Sequence, residues 1–234
     1  MKPYIFLTEN YLRTAQDGEG NSIDLRTITN QQVPFESTIF FTDRYGNIVN
    51  RTIDTLILND INIVNMTVLK ADGLGNYTTA FTISGNDKTS LIIQLDTPIT
   101  TSSLRFTVND DTFNPEYINI GYMGVFAYLC NLCALTESDY KKDANYGSYR
   151  VIDGSFIHFA DYNKWTAKIK MENLPQEQFN TLTNQVDEFG ELTVIPYQDL
   201  EAQAIYECGV NREYSWGLDR KTSLFELTLE CNEL

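Results

Sequence analysis

The stretch AYLCNLC, residues 127–133, sets Cys130 and Cys133 at the Cys-x-x-Cys spacing from which zinc, iron–sulfur and dithiol redox sites are built. Cys208 and Cys231 complete a set of four thiols, enough in number for a structural metal. Their positions argue otherwise. A structural zinc site brings its second ligand pair as another short-spaced unit, whereas these two stand 23 residues apart. In AQAIYECGV an alternating pattern puts Ala204, Tyr206, Cys208 and Val210 on one face, and in SLFELTLECNE it groups Phe225, Leu227, Leu229 and Cys231. Both late thiols therefore fall in apolar registers, where an unpaired cysteine behaves as a small hydrophobe. The first pair sits in YMGVFAYLCNLCALTESDY, which has no glycine-rich knuckle, no histidine and no βαβ context. The four read as core side chains, with a metal set of Cys130, Cys133, Cys208 and Cys231 as the lesser alternative and no cofactor expected.

Other chemistry-bearing residues are sparse. The one histidine, His158, lies in GSFIHFADY between Phe156, Ile157, Phe159 and Ala160, and no Gly-x-Ser-x-Gly elbow accompanies it. It reads as a strand residue. Asp110-Asp111 and Asp187-Glu188 are the adjacent carboxylates a glycosidase reading would use. The first pair falls in a presumed linker and the second on the polar side of a helix. DGEGNSIDL lacks the regular ligand spacing and terminal glutamate of a calcium loop and reads as a turn. No phosphate loop, dinucleotide fingerprint or paired metal-binding histidines occur. The chain is expected to be noncatalytic, with no catalytic or cofactor-binding residues.

The elements that would carry these residues are strands. In SLIIQLD the residues Leu91, Ile93 and Leu95 share a face, and in SLRFTVND so do Leu104, Phe106 and Val108; a period of two suits a half-buried strand. STIFFTD, DTLILND, NIVNMTVLK and YTTAFTIS add further candidates. Gly46-Asn47, Asn59-Asp60, Asp72-Gly73, Gly75-Asn76 and Gly85-Asn86 punctuate them in the rhythm of a β-sandwich. Residues 1–112 are predicted to form that sandwich. The polar segment NDDTFNPEY reads as a linker to a second domain over 115–234.

There KWTAKIKME alternates strictly, with Trp165, Ala167, Ile169 and Met171 on one face and lysines on the other. NLPQEQFNTLTNQVDEFG follows, with Phe179, Leu182, Val186 and Phe189 at steps of 3, 4 and 3, one stripe of an amphipathic helix over about 175–189. Pro175 suits its first turn, Glu177 its positive end, and Gly190 a left-handed stop. The stripe is expected to pack on Trp165, Ile169 and Met171 as the core of this domain. ELTVIPY, AQAIYECGV and SLFELTLECNE continue as strands.

Composition bounds the functional classes. A chain of 234 residues with 42% hydrophobic and 21% charged residues is an ordinary globular protein. No run of apolar residues is long enough to span a bilayer, and the first twenty residues lack the pattern of a secretory signal, so membrane insertion is not expected and synthesis in a cytoplasm is. Net charge is -15; the chain through Asn114 holds 8 basic and 13 acidic residues and the remainder 9 and 19, hence -5 and -10. Such a surface repels nucleic acid, whose binding draws on clustered Lys and Arg. The 14 tyrosines, many in polar settings such as RYGN, NYGSY and REYSWG, suit either sugar stacking or plain sheet packing.

DTLILNDINIVNMTV followed by LIIQLDTPITTSSLRFTV resembles a discoidin-like, jelly-roll-like β-sandwich of phage tail-tip proteins. INIGYMGVF, then KWTAKIKMENLPQEQFNTLTNQVDEFGELTVIPY and AIYECGV, is similar to the split barrel with one helix of siphophage distal tail and tail-tube proteins. The resemblance implies a mainly β protein and a structural virion component. That component is a ring-forming subunit, hexameric in one version, linking tail tube to tip. Its partners would be tube and hub proteins, and DNA would be only passing cargo. An acidic second domain facing such a channel would keep DNA from sticking. The alternative is a carbohydrate-binding or adhesion module that uses the sandwich against a host glycan.

Overall fold

A computed structural model describes residues 4–43, 45–109, 113–132, 135–150, 156–195, 206–210 and 213–233. Its strands in chain order are β1 (Tyr4–Leu7), β2 (Ile28–Gln32), β3 (Phe35–Phe40), β4 (Arg51–Ile61), β5 (Met66–Ala71), β6 (Tyr77–Ile83), β7 (Ser90–Thr101), β8 (Ser103–Val108), β9 (Tyr117–Phe126), β10 (Tyr128–Leu132), β11 (Leu135–Arg150) and β12 (Phe156–Leu174). Helix α1 (Gln176–Phe189) separates these from β13 (Glu191–Ile195), β14 (Tyr206–Val210), β15 (Ser215–Asp219) and β16 (Leu224–Glu233). The protein is mainly β, as the alternating runs predict. Two compact units divide the chain, one built on Asn10–Tyr128 and the other on Met1–Glu9 and most of the chain from Leu129 onward.

The first unit is a sandwich of two four-stranded antiparallel sheets, β2-β9-β4-β7 and β3-β8-β5-β6. Alternation makes the core. Leu104, Phe106 and Val108 of β8 are fully buried, and they join Leu56 and Leu58 of β4, Val68 of β5 and Ile120 of β9 in one apolar cluster. Leu91, Ile93 and Leu95 of β7 pack against it partly covered.

The unit boundary differs from the one expected between residues 112 and 115. Strand β9 lies beyond that point, yet it pairs with β4 from Thr55↔Phe126 to Ile61↔Ile120 and with β2, inside the sandwich. At the other end β1 leaves the sandwich and pairs with β13, Phe6 opposite Val194. The sandwich is thus inserted between the first strand of the second unit and the rest of it. A polar loop marks a turn but carries no signal about which sheet the next strand joins, because strand partners are fixed by long-range pairing.

The second unit holds one eight-stranded sheet in the order β10-β1-β13-β14-β16-β12-β11, with β15 paired to β16 alongside. It is not a closed barrel: among the described residues β10 and β11, at the two ends, do not pair. Yet they cannot be far apart. Leu132 ends β10 and Leu135 begins β11, and three peptide units reach at most about 11 Å. Seven strands laid flat would hold those edges about 29 Å apart at the usual inter-strand spacing. The sheet therefore curls back on itself and stays split along a seam between β10 and β11.

Helix α1 covers the core of this unit. Pro175 precedes it, Glu177 is its first-turn acid, and Gly190 at φ 71° ends it by donating its N–H to the Val186 carbonyl at 2.9 Å. Leu182 and Val186 are fully buried with Ile169 and Met171 of β12, Leu192 and Val194 of β13, and Leu227 and Leu229 of β16. The expected stripe is right at its centre and wrong at one end. Phe179 is half-buried, stacked on Phe225 at 4.4 Å, but Phe189 is 38% exposed. It is the last helical residue before Gly190 turns the chain, so its ring lies at the rim. The buried face rotates instead toward Gln185, whose Nε2 donates to Glu9 Oε2 at 2.8 Å and to the Glu191 carbonyl at 2.9 Å. The Trp165 and Ala167 side chains lie outside what is described, though their backbones pair with Lys142 and Tyr140.

Candidate functional site

The chemistry-bearing residues do not converge. Cys130 is buried in the second core, where burial pushes its thiol up to about 12; a thiol so far from ionisation is a poor nucleophile. Cys231 is buried in the same cluster. Cys133 lies outside the described residues, as does the side chain of Cys208, whose backbone pairs with Leu192 and Glu233. Among the described residues no three His, Cys, Asp or Glu side chains are grouped to hold a metal ion. His158 stands opposite Ser148 in the β11–β12 ladder, its side chain undescribed. Asp110 and Asp111 also lie outside the described residues, while Asp187 and Glu188 are exposed at the end of α1.

What the sandwich does assemble is a set of three matching loops. Asp17-Gly-Glu-Gly-Asn21, Asp43 to Asn47 and Asp72-Gly-Leu-Gly-Asn76 share one geometry. In each, one oxygen of the aspartate accepts from the backbone N–H two residues on, at 2.8 Å in all three. The same oxygen accepts from the backbone N–H of the asparagine, at 2.9, 2.9 and 3.1 Å. The other oxygen accepts from the asparagine Nδ2 at 3.0 Å each time. The fourth residue is Gly20, Gly46 or Gly75, at φ 84°, 82° and 90°, a conformation that glycine adopts without steric cost. DGEGN is therefore a turn whose carboxylate is saturated by its own loop.

All three loops lie at one end of the sandwich. Gln16, before the first, bridges Phe40 at the end of β3, and the second begins three residues after Phe40. Phe40 faces Ser103, where β8 starts, and β8 carries Leu104 opposite Lys70 near the end of β5, which leads into the third loop. The middle residues are Glu19, Tyr45 and Leu74, the last two 73% and 86% exposed. Arg51 stands at the same end, its guanidinium 5.0 Å from the Tyr11 ring centroid and donating to the Thr42 carbonyl. The pairwise Gly-Asn and Asp-Gly punctuation was visible in the sequence; the signal that unites the loops is the Asp and Asn four positions apart with glycine before the Asn.

These hydrogen bonds hold the Asp17 and Asp72 carboxyls below the ordinary 3.8, chiefly through the Asn21 side chain for Asp17 and the Leu74 backbone N–H for Asp72. A carboxyl whose folded value is depressed supports the fold above its unfolded value and loses that support as pH falls through the folded one. The loops should therefore hold down through pH 4 and loosen only in stronger acid. Carboxyl-carbon titration by NMR is expected to place both midpoints under 3.8; a midpoint at or above that value for either residue would refute the loop geometry.

In the second unit the aromatic residues gather at the edge of α1. Phe179 packs between Phe225 and Trp216, the latter at 5.8 Å between ring centroids, and Trp216 is 59% exposed. Tyr214 donates its hydroxyl to Asp187 Oδ2 at 3.1 Å, and burial first, then this carboxylate, raises its phenol above the ordinary 10.0.

No protein-family model and no curated protein matches this chain. Among solved structures, the family 32 carbohydrate-binding module of Streptococcus pneumoniae EndoD is similar at 19% identity and TM-score 0.39, over 50% of this chain and 97% of that one. A chitosan-binding module of the Paenibacillus sp. IK-5 chitosanase/glucanase matches at 18% identity and TM-score 0.34, over 51% of this chain and 99% of that one. A putative α-L-fucosidase of Bacteroides thetaiotaomicron matches at 16% and 0.35, over 51% of this chain and 28% of that one. Scores of this size carry no argument about function.

Proposed function

We propose that this chain is a noncatalytic assembly protein, the split sheet docking copies of itself and the inserted sandwich acting as spacer or binding unit, as in a tail-tip component of a phage virion. The carrying observation is the β11–β12 ribbon. Among the described residues β12 pairs with β16 from Thr166 to Leu174, and Phe156–Trp165 pair with β11 alone. That leaves a two-stranded ribbon of about 33 Å whose outer edges are unpaired among the described residues. An isolated two-stranded ribbon is marginal in water and its edges invite another strand. Copies of the same chain would supply it. In this reading the ring, hexameric or otherwise, sits between tube and hub proteins, and DNA passes through without being bound, in keeping with a net charge of -15.

A second reading makes the sandwich a carbohydrate-binding or adhesion module. Its own observation is the three-loop end, where the exposed Tyr45 ring offers a stacking face for a host glycan on a rigid support. One pair of measurements separates the readings: light scattering with electron microscopy of the intact chain, and a glycan array. Rings of fixed size with no array signal are the expected result. A monomer at all concentrations that binds a defined glycan, and loses it on Tyr45→Ala, would replace the first reading with the second.

A further inference from the structure

Trp216 and Leu218 occupy an unusual place for exposed side chains. On β15 they stand directly opposite Leu227 and Phe225 of β16, and cross-strand partners point to the same face of a sheet. Leu227 is fully buried in the second core, so Trp216 and Leu218 lie on the core face, where α1 no longer covers it. They are 59% and 46% exposed all the same. The Trp216 ring is backed by Phe179 at 5.8 Å and Phe225 at 6.2 Å, which hold it in place. A core face that emerges into solvent with a supported tryptophan at its centre is the composition of a docking patch.

The two ends of this strip carry opposite charge. Past the end of β15 the turn exposes Arg220 and Lys221, while Asp219 is engaged in the turn itself, accepting from the Lys221 backbone N–H at 2.8 Å and from Thr222 Oγ1 at 3.0 Å. Before the start of β15, Tyr214 reaches Asp187 on α1, and Glu188 lies exposed beside it. These two carboxylates sit in the last turn of a helix that has no basic residue there. The helix dipole is negative at that end, so anions there are disfavoured and a cation from outside is favoured.

We propose that this strip is a docking site for a second copy of the chain, turned end for end. One copy's Arg220 and Lys221 then meet the other's acidic helix end, with Trp216 and Leu218 of both copies packed between. An apolar strip with opposite charges at its ends is complementary to itself about a two-fold axis, which closes as a pair. This contact does not rest on the ribbon edges and is separate from any ring they form.

The test is the mass of the intact chain by light scattering over a range of concentrations and salt. Trp216→Ser with Leu218→Ser is expected to halve the mass of the wild-type species while the far-UV circular dichroism spectrum keeps its native form, since neither side chain is buried. Arg220→Glu with Lys221→Glu is expected to do the same, and adding Glu188→Lys to restore pairing that weakens with salt. If the wild type is monomeric throughout, or either double variant keeps the wild-type mass, the contact is wrong. A ring that keeps its full wild-type mass in the Trp216→Ser, Leu218→Ser variant overturns this contact and leaves the ribbon-based reading standing, whereas a ring of half that mass supports both. Glycan binding lost in that variant with mass unchanged would assign the strip to a sugar and overturn it as well.

Discussion

Leu182→Ala is expected to cost about 3 kcal/mol of stability, from the transfer of its side chain and the cavity left behind. Leu182 is fully buried beneath α1, where it shares one cluster with Ile169, Met171, Val186 and Leu229. Strands β12, β13 and β16 all contribute to that cluster, so the surroundings have little freedom to collapse. Phe189→Ala is the matched control. With its ring 38% exposed at the end of the helix, it should cost less than about 1 kcal/mol, as surface substitutions do. Chemical denaturation of both variants checks the pair. Equal losses would mean that α1 is rotated from the orientation described, and no loss at Leu182 would mean that the helix does not cover this core.

That contrast also marks where the sequence was informative. Period-two alternation named the buried side chains of β8 correctly and, in β16, Leu227, Leu229 and Cys231, while Phe225 at the start of that strand is only half-buried. Helical periodicity found α1 and its Gly190 stop. It could not fix the rotation of the helix to better than one position, because Phe179, Leu182, Val186 and Phe189 and the stripe through Gln185 overlap at Leu182 and Val186. Gln185 looked polar and proved buried; its amide is satisfied by Glu9 and by the Glu191 carbonyl, partners that lie outside the helix window.

The insertion of the sandwich was not legible. Whether YIFL at residues 4–7 pairs with the next strand or with β13 is decided by contacts nearly two hundred residues away, and local alternation is the same in either case. The split seam was legible only as a resemblance, and the sheet order gives it a physical basis: two short-linked strands at opposite ends of one sheet force it to curl. For the sandwich loops the opposite holds. Each repeats Asp, Gly and Asn at fixed offsets, and the local hydrogen bonds dictate the structure, so the pattern could be read once the spacing was compared across all three. Both units thus rest on the same division, with local chemistry setting turns and faces and long-range pairing setting membership.

Asn10→Ala should be nearly as damaging as the core substitution, although Asn10 is a polar residue that no apolar pattern singles out. It stands where the chain leaves β1 and enters the sandwich, 1% exposed. Its Oδ1 accepts from the backbone N–H of Leu12 and of Val125, both at 3.2 Å, and its Nδ2 donates to the Met123 carbonyl at 3.2 Å. One side chain thereby caps the short 3-10 turn Tyr11–Thr14 and ties it to β9. Alanine removes the partner of three buried backbone groups. An orphaned buried group costs about 1–3 kcal/mol, so a loss of about 3 kcal/mol is expected even if water reaches one of them. The loss should fall on the sandwich transition, with the second unit unfolding as before, because every one of these partners lies within Asn10–Tyr128. Calorimetry of the intact chain resolves this: a shift under about 1 kcal/mol, or one confined to the other unit, would show that the cap does not anchor the entry to the sandwich.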